Sequence, residues 1–86
     1  MKVIFSREFV KQFSKLPSNI KKKLDALLAE LERNPFDSRL HVKHLKGELQ
    51  SELSFRVTRD WRVIFRFERN VLIYVLRVKN RKDIYR

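Results

Sequence analysis

The 86-residue chain has no cysteine, one glycine, two prolines and only ten acidic residues. The lack of cysteine excludes disulfides, thiolate catalysis and cysteine-based zinc sites. A single glycine is too few for a glycine-rich loop that cradles phosphates. The sequence has no apolar run long enough to cross a bilayer or to form a signal-peptide core. We therefore expect no membrane partner and a cytoplasmic location.

Positive charge is what the chain has in excess. Its 21 lysines and arginines, against ten acidic residues, give a formal net charge of +11. On so small a protein, this charge indicates a polyanionic partner, with nucleic acid foremost. The hydrophobic content of 43% includes seven phenylalanines, and apolar residues continue as far as Tyr85. We therefore expect a single folded domain over residues 1–86, with the positive charge on its surface.

The hydrophobic pattern predicts an α+β fold. A short strand at residues 2–5 precedes a helix that Ser6 would cap and that runs from Arg7 to about Lys15. A second helix would be capped by Ser18 and would end at Asn34-Pro35. The segment 35–46 looks irregular, and three strands then follow near residues 53–57, 61–67 and 71–76. The expected architecture is an N-terminal strand, two antiparallel helices and a three-strand antiparallel meander, with the helices on one sheet face.

Alternation within residues 61–67 predicts two different faces for this strand. One face carries Trp61, Val63, Phe65 and Phe67, and the other carries Arg62, Ile64 and Arg66. We expect the aromatic face to pack on the core and the arginines to stand on the opposite surface. Arg56 should share that surface with Ser54, whereas Tyr74 should pack against the helices.

Few residue types in this sequence support catalysis. His41 and His44 are best interpreted as solvated loop residues, and no serine has an evident His–Asp partnership. No cofactor or metal is expected. The remaining candidates for catalysis are Arg56, Arg62, Arg81 and Tyr85. If these side chains converge, their guanidinium groups would stabilise the charge that develops during RNA cleavage, and Tyr85 would stack on a base or move a proton.

Other basic side chains extend this candidate site. The candidate RNA-binding residues are Lys46, Arg59, Arg66, Arg77, Lys79 and Lys82. Composition alone favours a non-catalytic RNA-binding surface over a nuclease, because alternating charges on a strand are often only a solvated face.

Several fragments together resemble the RelE/ParE toxin superfamily. They are Phe5-Ser6-Arg7-Glu8-Phe9, Leu45-Lys46-Gly47, Phe55-Arg56-Val57, Asp60-Trp61-Arg62-Val63-Ile64-Phe65, Val75-Leu76-Arg77-Val78 and residues 80–86. The resemblance spans essentially the whole chain. It implies the toxin of a type II toxin–antitoxin pair, specifically a RelE/YafQ-like mRNA interferase. Such a toxin would cut mRNA on the ribosome without a metal, leaving a 2′,3′-cyclic phosphate.

The resemblance also implies residue roles and partners. Arg62 matches the arginine that holds the scissile phosphate, Arg81 the acid or transition-state position, and Tyr85 the C-terminal aromatic residue. Arg56 matches a preceding basic position, and Asp60 a turn acid of the YafQ-like branch. Arginine stays protonated, so Arg56 is a poor general base. The identity of the base stays open between Glu52, His44 and Lys46, and the alternative is that catalysis rests mainly on alignment and charge.

The expected partners are an acidic antitoxin, mRNA and the 16S rRNA of the ribosome. The main alternative is the ParE branch, which shares the fold and inhibits DNA gyrase. The joint presence of Arg62, Arg81 and Tyr85 favours the nuclease.

Overall fold

The computed structural model describes the backbone of residues 1–45 and 51–84, and the side chains of these ranges as far as residue 82. Its elements are β1 (Lys2–Phe5), α1 (Arg7–Ser14), α2 (Ser18–Arg33), a 3-10 helix (Ser38–Leu40), β2 (Lys43–His44), β3 (Leu53–Arg56), β4 (Trp61–Glu68), β5 (Leu72–Asn80) and α3 (Arg81–Ile84). None of the helices within these ranges is long and apolar enough to cross a membrane.

The strands form one five-stranded sheet in the order β1-β5-β4-β3-β2. Strand β1 pairs parallel to β5, and the other neighbours are antiparallel. The predicted α+β fold, with two helices packed on a sheet, is confirmed. The sheet has one strand more than predicted, because the two residues of β2 lie inside the segment 35–46 that the sequence left irregular. A strand of two residues is too short to produce a visible alternation.

The core lies between the helices and one sheet face. Leu24 and Leu31 of α2 are fully buried and belong to the same cluster as Phe55, Val63 and Phe65 of the sheet. Burying each such side chain stabilises the fold by about 1.5–3 kcal/mol. The predicted apolar face of β4 therefore does carry the core, and α1 and α2 pack on this face.

A bulge in β5 changes which side chains face outward. Ile64 pairs with Arg77 while Phe65 pairs with Val75, so Leu76 is an extra residue in the ladder. The extra residue lets both Val75 and Val78 face the core. It also leaves Arg77 on the opposite face, which simple alternation from Val75 would have turned inward.

Helix α1 supplies hydrogen bonds to the bulged part of β5. The Ser6 side chain caps α1 by accepting from the Phe9 N–H at 3.0 Å, as predicted. Its hydroxyl also donates to the Leu76 carbonyl. Further along, the Val78 N–H donates to Oε1 of Gln12 at 2.7 Å. Because β1 ends opposite Val75, these side chains satisfy backbone groups that β1 does not reach.

The start of α2 and the β4–β5 turn show where local predictions failed and succeeded. The prediction that Ser18 caps α2 is wrong: the cap residue is Pro17, and no side chain in the described ranges caps this end. The Pro17 carbonyl accepts from the Ile20 and Lys21 N–H groups instead. In the turn, Arg69 and Asn70 have φ values of 50° and 58°. The left-handed conformation predicted for Asn70 is confirmed, and the pair is typical of a type I′ turn.

An ionic cluster fixes the chain after α2. Glu30 is only 6% exposed, and its carboxylate pairs with Arg33 and with Arg39, the latter at 2.9 Å. Asp37 accepts from the Arg39 backbone and side chain. The hydrogen bond from the Arg39 guanidinium holds the pKa of the Asp37 carboxyl well below its ordinary value of 3.8. The cluster ties the 3-10 helix to α2 shortly before β2 begins.

Candidate nucleic-acid interface

A row of three cationic residues crosses the sheet face opposite the helices. Arg56 of β3 lies directly opposite Arg62 of β4, and Arg62 lies directly opposite Lys79 of β5. Neighbouring strands are about 4.7–4.9 Å apart, and like charges in directly opposed positions destabilise a sheet. We call Arg56, Arg62 and Lys79 the cation row. Its positive charge is concentrated across three strands, so an anion bound there would relieve the repulsion.

Arg62 lies deeper in this row than alternation predicted. The whole residue is only 5% exposed, so the expectation that it stands on the surface is wrong. Its neighbours on the same face, Ser54 and Ile64, are also buried, at 0% and 2% exposure. Among the described residues, Nε and Nη1 of Arg62 and the hydroxyl of Ser54 have no hydrogen-bond partner. A buried charge without a partner is costly, which is unusual unless the residue serves a ligand.

Arg81 begins α3 at the same end of the sheet. Its N–H donates to the Asp60 carbonyl at 2.6 Å, and Trp61 pairs with Asn80. The backbone therefore brings the start of α3 beside the start of β4, close to Arg62. The side chains of Arg81, Arg59 and Lys82 are exposed near this end. Three strands, the β3–β4 turn and α3 thus all contribute cations at this end of the sheet.

Two predicted RNA-binding residues are already paired. Arg77 contacts Glu52 at 3.0 Å and Glu8 at 3.9 Å. Arg66 pairs with Glu68 at 2.8 Å, and its Cζ lies 5.3 Å from the centre of the Tyr74 ring. The prediction that Tyr74 packs against the helices is wrong, because Tyr74 shares the outward face with Arg66.

The candidates for the general base occupy different places. His44 pairs with Leu53, whose side chain faces the core, so His44 does not share the face of the cation row. Glu52 does reach this face, where it binds Arg77. Lys46 lies outside the described residues, as does Tyr85 among the catalytic candidates.

Sequence reasoning missed Lys43. This residue pairs with Ser54, and its side chain therefore belongs to the outward face beside the cation row. The sequence offered only a basic residue between Val42 and His44, and this segment shows no strand periodicity. Among the described side chains, those of residues 1–45 and 51–82, no three of His, Asp or Glu lie close enough together to hold a metal ion. The charge available to a bound polyanion on this face is that of Lys and Arg.

The fold is that of small toxins from toxin–antitoxin systems. The chain is similar to the YafQ structure from E. coli strain BL21(DE3), with a TM-score of 0.81, 19% identity, and coverage of 99% of this chain and 98% of YafQ. It is also similar to the toxin–antitoxin complex RelBE2 from Mycobacterium tuberculosis, with a TM-score of 0.76, 27% identity, and coverage of 93% and 96%. The RelB–RelE complex from Methanococcus jannaschii matches with a TM-score of 0.77 and 24% identity, and the match covers 95% of this chain and 94% of the relative.

Sequence comparison identifies the family. The family model described as the ParE toxin of the type II toxin–antitoxin system, parDE, matches residues 3–85. The chain therefore belongs to this family, within the RelE/ParE toxin superfamily that the sequence fragments resemble. No curated protein matches the chain.

Proposed function

We propose that this toxin is an mRNA endoribonuclease that acts on the ribosome and inhibits translation. The observation that carries the proposal is the cation row, with Arg62 buried and without a partner for two of its nitrogens in the described part of the chain. A phosphodiester would supply the acceptors that this guanidinium lacks. The similarity to the RelBE2 toxin–antitoxin complex supports placing this toxin in the RelE branch of the superfamily.

The proposed reaction is an attack of the ribose 2′-oxygen on the adjacent phosphorus. The new 2′-O–P bond forms as the bond from phosphorus to the 5′-oxygen breaks, which gives a 2′,3′-cyclic phosphate. Negative charge grows on the non-bridging oxygens, where Arg62 and Arg56 would stabilise it. Guanidinium groups supply this charge, so the mechanism requires no metal.

Proton transfer requires groups other than the cation row. Arginine stays protonated and cannot accept the proton of the 2′-hydroxyl. Of the bases considered, Glu52 is the one that the described residues bring to the outward face. We propose Glu52 as the acceptor and Arg81 as the group that stabilises the departing 5′-oxygen. Tyr85 would stack on a base or relay the proton.

The experiment is induced expression followed by mapping of mRNA 5′ ends by primer extension. We expect new ends within translated codons for the wild type and for Lys22→Ala, which removes one exposed charge from α2. Arg62→Lys keeps the charge but loses the planar fork, so we expect cleavage to fall at least tenfold. Arg62→Met and Arg81→Ala should abolish growth arrest. Growth arrest with intact transcripts would overturn the nuclease proposal.

Inhibition of DNA gyrase is the second candidate function. The matching family model carries the ParE description, which favours this alternative. A gyrase supercoiling assay with added purified toxin distinguishes gyrase inhibition from mRNA cleavage. A loss of supercoiling, together with a DNA-damage response and intact mRNA, would replace the nuclease assignment with gyrase inhibition.

We also propose an acidic antitoxin as the partner. The structural relatives that are solved as complexes of a toxin with an antitoxin include RelBE2 and RelB–RelE. This chain has an apolar groove of about 190 Å³ at which Phe5, Phe9, Val10 and Phe13 of β1 and α1 meet α2. Phe5 and Val10 are 43% and 56% exposed, and Arg7 and Lys11 lie beside them. An acidic amphipathic helix would pack its apolar face on the groove and turn its acidic face towards Arg7 and Lys11; Asp25 also lines the groove.

The antitoxin contact has its own test. Val10→Glu places a like charge against an acidic partner, whereas the residue is remote from the cation row. We expect this variant to stay toxic when it is co-expressed with the antitoxin, and Val10→Leu to be neutralised normally. Neutralisation of both variants would exclude the groove as the docking site.

A further inference from the structure

A second aromatic and cationic pair lies further along the outward sheet face. Arg66 of β4 is directly opposite Tyr74 of β5, and the Arg66 Cζ lies 5.3 Å from the centre of the ring. The Arg66 side chain is 44% exposed, and Tyr74 is partly buried. Ile4 of β1 is the neighbour of Tyr74 on the other side and is 36% exposed. The result is an accessible platform with an apolar edge.

The charge on this platform is already neutralised. The Arg66 guanidinium pairs with the Glu68 carboxylate at 2.8 Å. An arginine held in this way is poorly suited to a phosphate, since the phosphate would have to displace or approach the carboxylate. The planar guanidinium and the tyrosine ring are still suited to stacking on a nucleobase. This pairing changes the role expected of Arg66 from phosphate binding to base stacking.

The platform lies within reach of the strand that the cation row would bind. Arg66 is four residues from Arg62 along β4, or about 13 Å at about 3.3 Å per residue. Stacked nucleotides in a duplex advance about 3.4 Å each, so at most about four nucleotides bridge this distance. A single strand that is held at Arg62 and runs along β4 would therefore bring one of its next few bases to Tyr74.

We propose that Arg66 and Tyr74 form a base-stacking subsite for single-stranded RNA, separate from the phosphate site at Arg62. The inference rests on the proposed function for its choice of ligand, but binding can be measured without cleavage. Stacking and phosphate contact also differ in a measurable way. Loss of a phosphate-contacting cation lowers the salt slope of binding by about one, whereas loss of a stacking contact leaves the slope unchanged.

The test measures binding of a fluorescein-labelled RNA octamer by anisotropy at several salt concentrations. All riboses are 2′-deoxy at the candidate cleavage positions, so no cleavage occurs. We expect Tyr74→Leu to weaken binding about 5- to 150-fold, at an unchanged salt slope. Tyr74→Phe keeps the ring and should bind as the wild type does. Arg66→Lys keeps the charge but loses the planar group, so it should weaken binding at the same slope.

Abasic substitutions then locate the stacked base. For the wild type, one abasic position within four nucleotides of the bound phosphate should weaken binding, and this effect should vanish in Tyr74→Leu. Thermal unfolding confirms that each variant is folded, and Arg66→Ser provides a second variant if Tyr74→Leu unfolds. Lys22→Ala controls for net charge. Equal abasic profiles for the wild type, Tyr74→Leu and Arg66→Lys would overturn the subsite, as would a reduced salt slope for Arg66→Lys.

The outcomes separate this inference from the proposed function. Unchanged binding by the platform variants, together with normal mRNA cleavage by the wild type, would remove the subsite and leave the nuclease. A position-specific abasic effect that depends on Tyr74, without any mRNA cleavage, would leave the RNA subsite and remove the nuclease. A wild type that binds no RNA octamer would overturn the subsite, and mapping of mRNA ends would still decide the nuclease.

Discussion

Replacing Arg62 with methionine should make the protein more stable while removing its activity. Arg62 is 5% exposed, and two of its nitrogens lack partners among residues 1–45 and 51–84. It also lies between the cations Arg56 and Lys79. A buried donor without a partner costs about 1–3 kcal/mol, and replacing buried charges by apolar residues of similar volume is often neutral or stabilising by about 1–4 kcal/mol.

The expected gain for Arg62→Met is therefore about 1–4 kcal/mol in the free energy of unfolding. For a domain of this size, each kcal/mol raises the melting temperature by about 4–8 °C. The assay is urea unfolding of the free toxin, with circular dichroism as the signal. Arg59→Met, in the exposed β3–β4 turn, is the matched control and should change stability by no more than about 0.5 kcal/mol.

A bound anion should reduce the difference in the free energy of unfolding between Arg62→Met and the wild type. Inorganic phosphate or a short non-cleavable RNA supplies acceptors to Arg62, so it should stabilise the wild type and leave Arg62→Met unchanged. The reasoning fails if Arg62→Met is less stable than the wild type by more than about 1 kcal/mol, because contacts within the protein would then stabilise the guanidinium. Equal stabilisation of both proteins by phosphate would refute the anion site.

The other predictions concern the scaffold. Gln12→Leu removes the acceptor of the Val78 N–H, so we expect a loss of about 1–3 kcal/mol in urea unfolding; wild-type stability would show that the bond is dispensable. Leu24→Ala opens a cavity beneath α2 at a residue with no exposure and should cost about 2–5 kcal/mol by the same assay. Asp37 has a lowered pKa because the Arg39 guanidinium donates to it, so its stabilising effect is complete above about pH 5 and is lost as the pH falls. As the pH falls below about 5, the melting temperature should decrease less for Asp37→Asn than for the wild type. Parallel curves of melting temperature against pH would contradict this role of Asp37.

Local patterns in the sequence predict most of the scaffold. Ser6 at the start of α1 and Asn70 in the β4–β5 turn are local signals, because a cap and a left-handed turn depend on a few adjacent residues. The core face of β4 is predicted by alternation over seven residues. Strand β2 was missed, because two residues carry no periodicity and their pairing with β3 depends on a partner distant in sequence.

The sequence by itself determined the class of fold, the aromatic core face and the excess of positive charge. These follow from periodicity and composition, which need no knowledge of which strands become neighbours. Only the tertiary structure decided that Arg56, Arg62 and Lys79 form one row and that Arg62 is buried within it. It also decided that the bulge at Leu76 leaves Arg77 on the outward face and that Tyr74 lies under Arg66. The physical reason is that strand register and bulges are set by pairing between distant segments, and a single displaced residue reverses the face of every side chain that follows.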